Sequence, residues 1–566
     1  MINRIATRTR LGPPTRLLPF LLLITCCVSA GLGWSAAASA APPAPSAYTV
    51  RGLCANPSPG RSGCLGLQLV AKDPRSVPGT RVLPAATTGA RRATSAPRSE
   101  AFERKIPWPE SLTPANLLAA YSLTGVSPPS TQTIGIVDAY DGATVEADLA
   151  HFNAQYGLPP CTEGNGCFRK VNQAGDAAPL PSSSGEEERG WALEIATDVE
   201  VAHGVCPDCR ILLVEADSNE NSDLYAAEQT AAALGATEIS NSWGGEEPEE
   251  DSPAFDHPGV VITASSGDAG YLNWLSEEQP ASANYPASSP RVIAVGGTRL
   301  ELNEAATARE SETVWNDGGE AEGVLEGAGA SGGGCSEAFT APPWQQAVSD
   351  WSFVGCGSAR AVADISADAD PYTGVAVYDS TETEGESGWW MIGGTSVASP
   401  IIAATFALAG GAQGVEYPAR TLYENAAKTH APLHDVRAGS NGECLLPFKA
   451  AKGLSGCSAI EEAESCEVQA ICLAVNGYDG PTGVGTSDGV GAFLATGVGG
   501  EAPTPPVATQ ARPVIGASLP GATRPPAAIV SALRLTRRAI AALSRRHPRI
   551  GNLGFSFASA RRRESV

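Results

Sequence analysis

Between Gln132 and Val295 short apolar runs alternate with stretches of helical spacing, and this alternation restricts the fold more than any other feature. The apolar runs are Gln132–Asp138, Arg210–Glu215, Thr237–Ser242, Val260–Ser265 and Val292–Val295. Ala143–Tyr156, Trp191–Gly204 and Asp223–Leu234 read as helices between them, and a further helix is expected over Val397–Ala409. Apolar runs of this kind suit strands covered on both faces. Strands joined through helices run parallel, because a parallel pair needs a long crossover. The expected fold is α/β, a mostly parallel sheet with helices on both faces.

Charge divides the chain into three. Residues 1–110 carry 14 basic against 4 acidic side chains, residues 512–566 carry 11 against 1, and residues 111–511 carry 13 against 56. A middle region so acidic repels a polyanion, which excludes nucleic acid as a partner. Protonating its carboxylates leaves little positive charge to drive acid unfolding, which suits work at low pH; an acidic surface kept for solubility reads the same charge differently.

The first 40 residues have the order of a signal peptide: Arg4, Arg8, Arg10 and Arg16, then the apolar run Leu17–Val28, then small residues with cleavage expected after Ala40. An uncleaved anchor is the alternative. The chain is therefore expected to be secreted. Residues 41–106, rich in Pro, Arg, Ser and Ala, read as a pro-segment or linker, 107–497 as the main domain, and 498–526 as a Pro-rich linker. Residues 527–566 form a basic tail. Its stretch Ala527–Ser544 could lie as an amphipathic helix on a membrane surface or an anionic wall polymer, or be a structureless appendage.

Twelve of the 14 cysteines lie beyond the signal segment, an even number that suits an oxidising compartment. Local spacing suggests Cys54–Cys64, Cys161–Cys167, Cys206–Cys209 and Cys335–Cys356, with Cys444, Cys457, Cys466 and Cys472 as a further cluster. Cys206-Pro-Asp-Cys209 also has redox-motif or half-zinc-site spacing, but nothing nearby completes either, and a structural disulfide is the preferred reading.

The chemistry starts from Ser396. Gly393, Gly394 and Thr395 precede it and Pro400 follows, giving a G-T-S-x-x-x-P run at the mouth of an apolar helix. Glycines allow close backbone approach, and the first N–H groups of a helix can face a developing oxyanion. The final Gly of a G-x-S-x-G elbow is missing. Two sources of base stand open. Asp138 at a strand end and His203 before Gly204 would complete a Ser–His–Asp triad with Ser396, although His203 closes its helix rather than opening it. The same helix carries Glu194 and Asp198, whose i, i+4 spacing puts both carboxylates on one face. Joint ionisation is disfavoured there, and one proton can be shared in acid. Otherwise the pair is a solvated acidic face.

The serine run resembles the nucleophile motif of subtilisins and sedolisins, and further stretches favour the latter. Glu194-Ile-Ala-Thr-Asp198 followed by Gly204-Val-Cys-Pro-Asp-Cys209 is similar to the sedolisin E-x-x-x-D helix. Val261–Gly270 is similar to the family's oxyanion strand, with Asp268 where subtilisins have Asn. Ser240–Gly244, Asn284–Pro290, Ser331–Ser336 and Asp364–Pro371 fit in the expected order across about residues 110–490. The resemblance implies a subtilisin-like fold and a monomeric endopeptidase acting on proteins or peptides. In it Ser396 is the nucleophile, Glu194 the base, Asp198 its partner and Asp268 the oxyanion group. An Asp can donate a hydrogen bond there only when protonated. The resemblance also implies one structural Ca2+ held by Asp435, Asp479 and the carbonyls of Val436, Val475 and Gly477. Val475 stands where the family has Gly, and residues 42–105 are far shorter than the usual folded pro-domain. An inactive binding protein of the same fold is the rival outside enzymology.

Overall fold

The computed structural model describes residues 47–83, 101–273, 275–276, 281–317, 329–349, 351–383, 385–428, 430–442 and 470–496. The expected signal segment, Pro-rich linker and basic tail, with Cys444, Cys457 and Cys466, lie outside the described residues. Among the described residues no helix is long and apolar enough to cross a membrane.

The expected sheet is present. We number its strands β1 (Thr133–Ala139), β2 (Phe168–Asn172), β3 (Arg210–Ala216), β4 (Glu238–Asn241), β5 (Val261–Ser265), β6 (Ile293–Leu302), β7 (Ile365–Asp368) and β8 (Thr486–Ser487). In space they run β2-β3-β1-β4-β5-β6-β7-β8, each parallel to its neighbour. Antiparallel additions are Arg309–Val314 on β6 and Leu433–His434 on β8. Alternate side chains feed two cores. Ile134, Ile136, Ile211 and Leu213 join one, while Val137, Leu212 and Val214 join the other. This is the period of two that a sheet buried on both faces requires.

Four helices matter for the site: α1 (Val145–Tyr156), α2 (Glu186–Val205), α3 (Asn221–Ala233) and α4 (Thr395–Ala409). Leu193, Val199, Ile401 and Phe406 of α2 and α4 pack with the first core, and Leu224 and Ala227 of α3 with the second. Helix α2 begins five residues before the expected Trp191. Glu186, Glu187 and Glu188 occupy its first turn, where the helix dipole favours negative charge. From Gly190 to Val205 every residue is buried, so α2 has no solvent face to produce a clear amphipathic stripe. The chain order reverses on either side of β1, which places a crevice at its carboxyl end.

Residues 47–83 and 101–104, within the segment read as a pro-segment or linker, form strands against this domain. Tyr48–Gly52 pairs antiparallel with Leu67–Ala71. Leu67–Ala71 pairs in turn with Glu386–Gly393, the strand that leads into α4. Ala101–Arg104 lies parallel to the start of the same strand. Val50, Leu69, Val77 and Trp108 bury together with Met391. Arg104 is buried between Trp108 and Trp390 and pairs with Glu386. The four local disulfides expected from spacing are formed, Cys206–Cys209 among them.

Burial also holds acids in the sheet core. Glu228 and Glu238 are fully buried, which pushes both up to about 8 from a usual 4.5. A folded-state pKa above the unfolded one means the native chain holds protons that the unfolded chain gives up. Their contribution is therefore fully present below about pH 4.5 and is lost as pH rises through about 8. We expect the melting temperature by calorimetry to fall across that window, and Glu238→Gln to flatten the fall.

Candidate active site

Ser396 is the second residue of α4, which starts directly after Gly394. Gly394 has φ of +89°, and a Cβ there would collide with the Leu65 carbonyl oxygen and lie 2.6 Å from Asp268 Oδ2. Only glycine fits both the backbone and the space. Pro400 lies in the second turn of α4. Lacking an N–H, it leaves the Ser396 carbonyl without its helical partner. The Ser242 hydroxyl donates to that carbonyl at 3.3 Å. Asp198 Oδ1 lies 2.7 Å from the same hydroxyl, whose one proton is shared between the two acceptors, so Ser242 ties α4 to α2.

Glu194 and Asp198 of α2 and Asp138 at the end of β1 converge here, all fully buried. Neither oxygen of Asp138 or Glu194, nor Asp198 Oδ2, has a well-formed hydrogen bond. Burial, then the charge of Asp138, pushes both Glu194 and Asp198 well above the usual carboxylate range, and Asp138 itself is pushed up to about 8 by burial. The Ser396 hydroxyl lies near enough to Glu194 to favour its charged form. In this conformation, however, that hydroxyl donates to the Ser242 carbonyl at 3.2 Å, so engaging Glu194 needs a side-chain rotation.

Asp268 follows β5. Its Oδ1 accepts from the Thr395 N–H at 2.7 Å and the Thr395 hydroxyl at 2.8 Å, which fixes the carboxyl. Its Oδ2 is buried without a partner, and burial raises the group to about 7. A neutral Asp268 can thus offer an O–H from Oδ2 beside the Ser396 N–H.

The structure brings Ser396, Glu194, Asp198 and Asp268 together and leaves His203 apart. Nine residues separate Glu194 from His203 along α2, roughly 13 Å of helix. The His203 ring is hydrogen-bonded with the Pro159 carbonyl at 3.2 Å, close to the Cys161–Cys167 disulfide. Asp138, read from sequence as a partner for that histidine, instead adds a third carboxyl to the Glu194–Asp198 pair. Sequence alone does not mark Ser242 as a bridging residue. Its only signal lay in the Ser240–Gly244 stretch, where nothing distinguishes a bridging hydroxyl from its neighbours.

At the expected cation site, Asp479 is fully buried. Its Oδ1 accepts from the Thr482 N–H at 2.9 Å and hydroxyl at 2.7 Å, and its Oδ2 from the Val475 N–H at 3.0 Å. Asp435 accepts from the Gly477 N–H at 3.1 Å and is close enough to repel Asp479. Among the described residues no basic side chain pairs with Asp479, whereas Arg437 pairs with Asp435 at 2.7 Å. Two mutually repelling carboxylates, one buried without a countercharge, fit a hard divalent cation, with Arg437 as its competitor for Asp435.

Residues 182–439 match the subtilase family model. Sedolisin of Pseudomonas sp. (strain 101) is 28% identical over 358 residues, 60% of this chain and 57% of that protein. Kumamolisin of Bacillus sp. (strain MN-32) is 31% identical over 356 residues, 59% and 58%. The chain thus spans somewhat over half the length of these relatives. The solved structure of Pseudomonas sedolisin, a serine-carboxyl proteinase complexed with two molecules of pseudo-iodotyrostatin, has a TM-score of 0.52 at 28% identity. That match covers 67% of this chain and 95% of that one. The resemblance to sedolisins and the subtilisin-like fold are both borne out.

Because Asp138 raises both Glu194 and Asp198, Asp138→Asn should lower the protonation midpoints of the remaining pair. A carboxyl-stretch infrared titration should show the shift toward acid; an unchanged titration would mean that Asp138 is electrostatically remote.

Proposed function

We propose that the chain is a secreted serine-carboxyl endopeptidase that cleaves peptide bonds in proteins and works best in acid. The observation that carries this reading is the gathering of buried carboxyls, without a basic partner among the described residues, around a serine at a helix N-terminus. In an ordinary core such groups would be costly and without use.

Ser396 Oγ attacks the substrate carbonyl carbon after turning from the Ser242 carbonyl toward Glu194, which takes its proton. Asp198, held by Ser242, shares the pair's proton and orients Glu194. Charge developing on the carbonyl oxygen meets the Ser396 N–H and the protonated Asp268. Glu194 then returns the proton to the leaving amine, and water repeats the sequence on the ester. A histidine base would be protonated and idle at low pH; the carboxyl pair can serve as base there in the state that carries a single proton between Glu194 and Asp198, and the acid limb of activity should mark the loss of that state.

We also assign a structural Ca2+ to Asp435 and Asp479, with the carbonyls of Val436, Val475 and Gly477. Its role is to offset the repulsion between the two carboxylates. Export fits the four disulfides, which persist in oxidising surroundings.

The test is casein digestion from pH 3 to 8. Ser396→Ala should abolish turnover with folding intact, and His203→Ala should stay within about two-fold, since structural substitutions away from the chemistry leave kcat largely alone. Protonated Asp268 is lost as pH rises through about 7, so activity should fall there. Asp268→Ala should cost on the order of 10²–10³ in kcat, while Asp268→Asn should move the alkaline limb. A neutral optimum that requires His203 would overturn the assignment. For the cation, chelation should lower the melting temperature and added Ca2+ restore it, with Asp479→Asn insensitive to both.

A further inference from the structure

Two chain edges flank the approach to Ser396. One is Trp243–Gly244, which pairs antiparallel with Cys64 and Gly63. The other is the turn from β3 into α3. There the Asn219 carbonyl accepts from the Ser62 N–H at 3.0 Å, and Glu220 forms an antiparallel bridge with Arg61. Nearer the serine, the Leu65 carbonyl accepts from the Ser396 N–H at 3.0 Å. Residues 61–65 therefore mark the path that an extended chain takes between the edges. Peptides bind by strand addition in this way, with backbone bonds for affinity and side-chain recesses for selectivity. The path stops at residue 61, whose N–H donates to the Ser58 carbonyl at 3.0 Å and closes a turn. A Cβ on Gly245 would lie 2.8 Å from the Arg61 carbonyl oxygen, so Gly245 on one side and Glu220 on the other hold the backbone there.

The side chain at this position meets a built recess. The Arg61 guanidinium donates through Nη1 to Asn219 Oδ1 at 2.9 Å and through Nη2 to Glu220 Oε1 at 3.0 Å. Asn219 is only 3 % exposed, and its amide is fixed. Its Nδ2 donates to the Ser62 carbonyl at 3.0 Å and to Glu187 Oε1 at 2.9 Å, so Oδ1 is the atom left to face the recess. Tyr140 backs it, with its hydroxyl 3.2 Å from Asn219 Oδ1 and 3.3 Å from Glu187 Oε2. Tyr140 has φ of +65°, an outlier for a bulky residue of the kind that gathers at binding and catalytic sites. Two acceptors on adjacent residues match two nitrogens of one planar fork. A compact ammonium cannot meet both as well.

We infer that the recess of Asn219 and Glu220 is a specificity subsite for arginine, taken by the fifth residue on the N-terminal side of the bond that Ser396 attacks. The inference rests on the peptidase reading above and gives it a substrate class: proteins with an arginine at that distance from the cut. The count runs from Leu65, whose carbonyl faces the Ser396 N–H, back to Arg61. Lysine fits less well, and alanine gains nothing. Glutamate meets the like charge of Glu220, with Glu187 behind it. Arg61 and Glu220 are both partly open to solvent, which keeps the preference moderate.

The test uses four peptides identical but for Arg, Lys, Ala or Glu at the fifth residue before the cut. The full chain digests them at about pH 5.5, where ordinary carboxylates are charged, and mass spectrometry fixes the bond cut in each. Residues 61–65 of the chain compete with every peptide alike, so ratios of kcat/KM within the series are the readout. The Arg peptide should exceed the Ala peptide roughly five-fold, with Lys between them and Glu below Ala. Glu220→Lys should put the Glu peptide above the Arg peptide, and Glu220→Gln should draw the four together. Glu220 is exposed, so neither change disturbs the core. Equal ratios for Arg, Ala and Glu at one confirmed bond, cutting that follows arginine at another spacing, or an order unchanged in Glu220→Lys would overturn the inference and leave the peptidase reading standing. If none of the peptides is cut at any pH from 3 to 8, the peptidase reading fails and takes the inference with it.

Discussion

The junction of α2 with α4 depends on buried carboxyl groups that cannot all ionise together. Asp138, Glu194, Asp198 and Asp268 lie where ionised groups would each require a countercharge, and among the described residues none is supplied. Fully charged, the cluster would push apart the two helices and the sheet they pack on; partly protonated, it repels itself far less. The hydroxyls of Ser242 and Thr395 set the geometry. The first joins Asp198 to the Ser396 carbonyl, and the second joins Asp268 to the first turn of α4. Chemistry and cohesion therefore share one electrostatic condition.

A polar seam beneath this junction keeps α4 in register on the sheet. The Ser399 hydroxyl meets those of Ser240 and Thr263, each at 2.9 Å, and the Ser265 hydroxyl donates to the Thr395 carbonyl at 2.8 Å. The rest of α4 is apolar and would tolerate sliding, because dispersion contacts are not directional. Hydrogen bonds between short hydroxyls are directional, and they fix the height at which Ser396 emerges.

The central sheet was legible because a strand covered on both faces is written almost entirely in apolar residues, as in Ile134–Val137 and Ile211–Val214. The acids Glu194, Asp198 and Asp268 were legible as motifs. Their company with Asp138 was not, since it depends on the crevice formed where the strand order reverses, 56 residues of chain before Glu194. Trp191 is a late start for α2 because the turn before it, residues 186–189, is polar and partly exposed and lacks the apolar period that marks a helix. The strands between residues 47 and 83 were hidden for a different reason. Their stability comes from pairing with Glu386–Gly393, a partner some 300 residues downstream, and local composition shows only the Pro, Ser and Arg of their turns.

The strand Glu386–Gly393 has one further property. Val375–Thr383 covers one edge, and residues 67–68 and 102–104 cover parts of the other. Removing the N-terminal strands would bare backbone N–H and C=O groups along a strand that runs directly into Ser396. Bare edges recruit other strands, from a second molecule as readily as from a peptide. Solubility depends on this cover: a molecule stripped of it in concentrated solution would be open to edge-to-edge self-association until some other chain filled the groove.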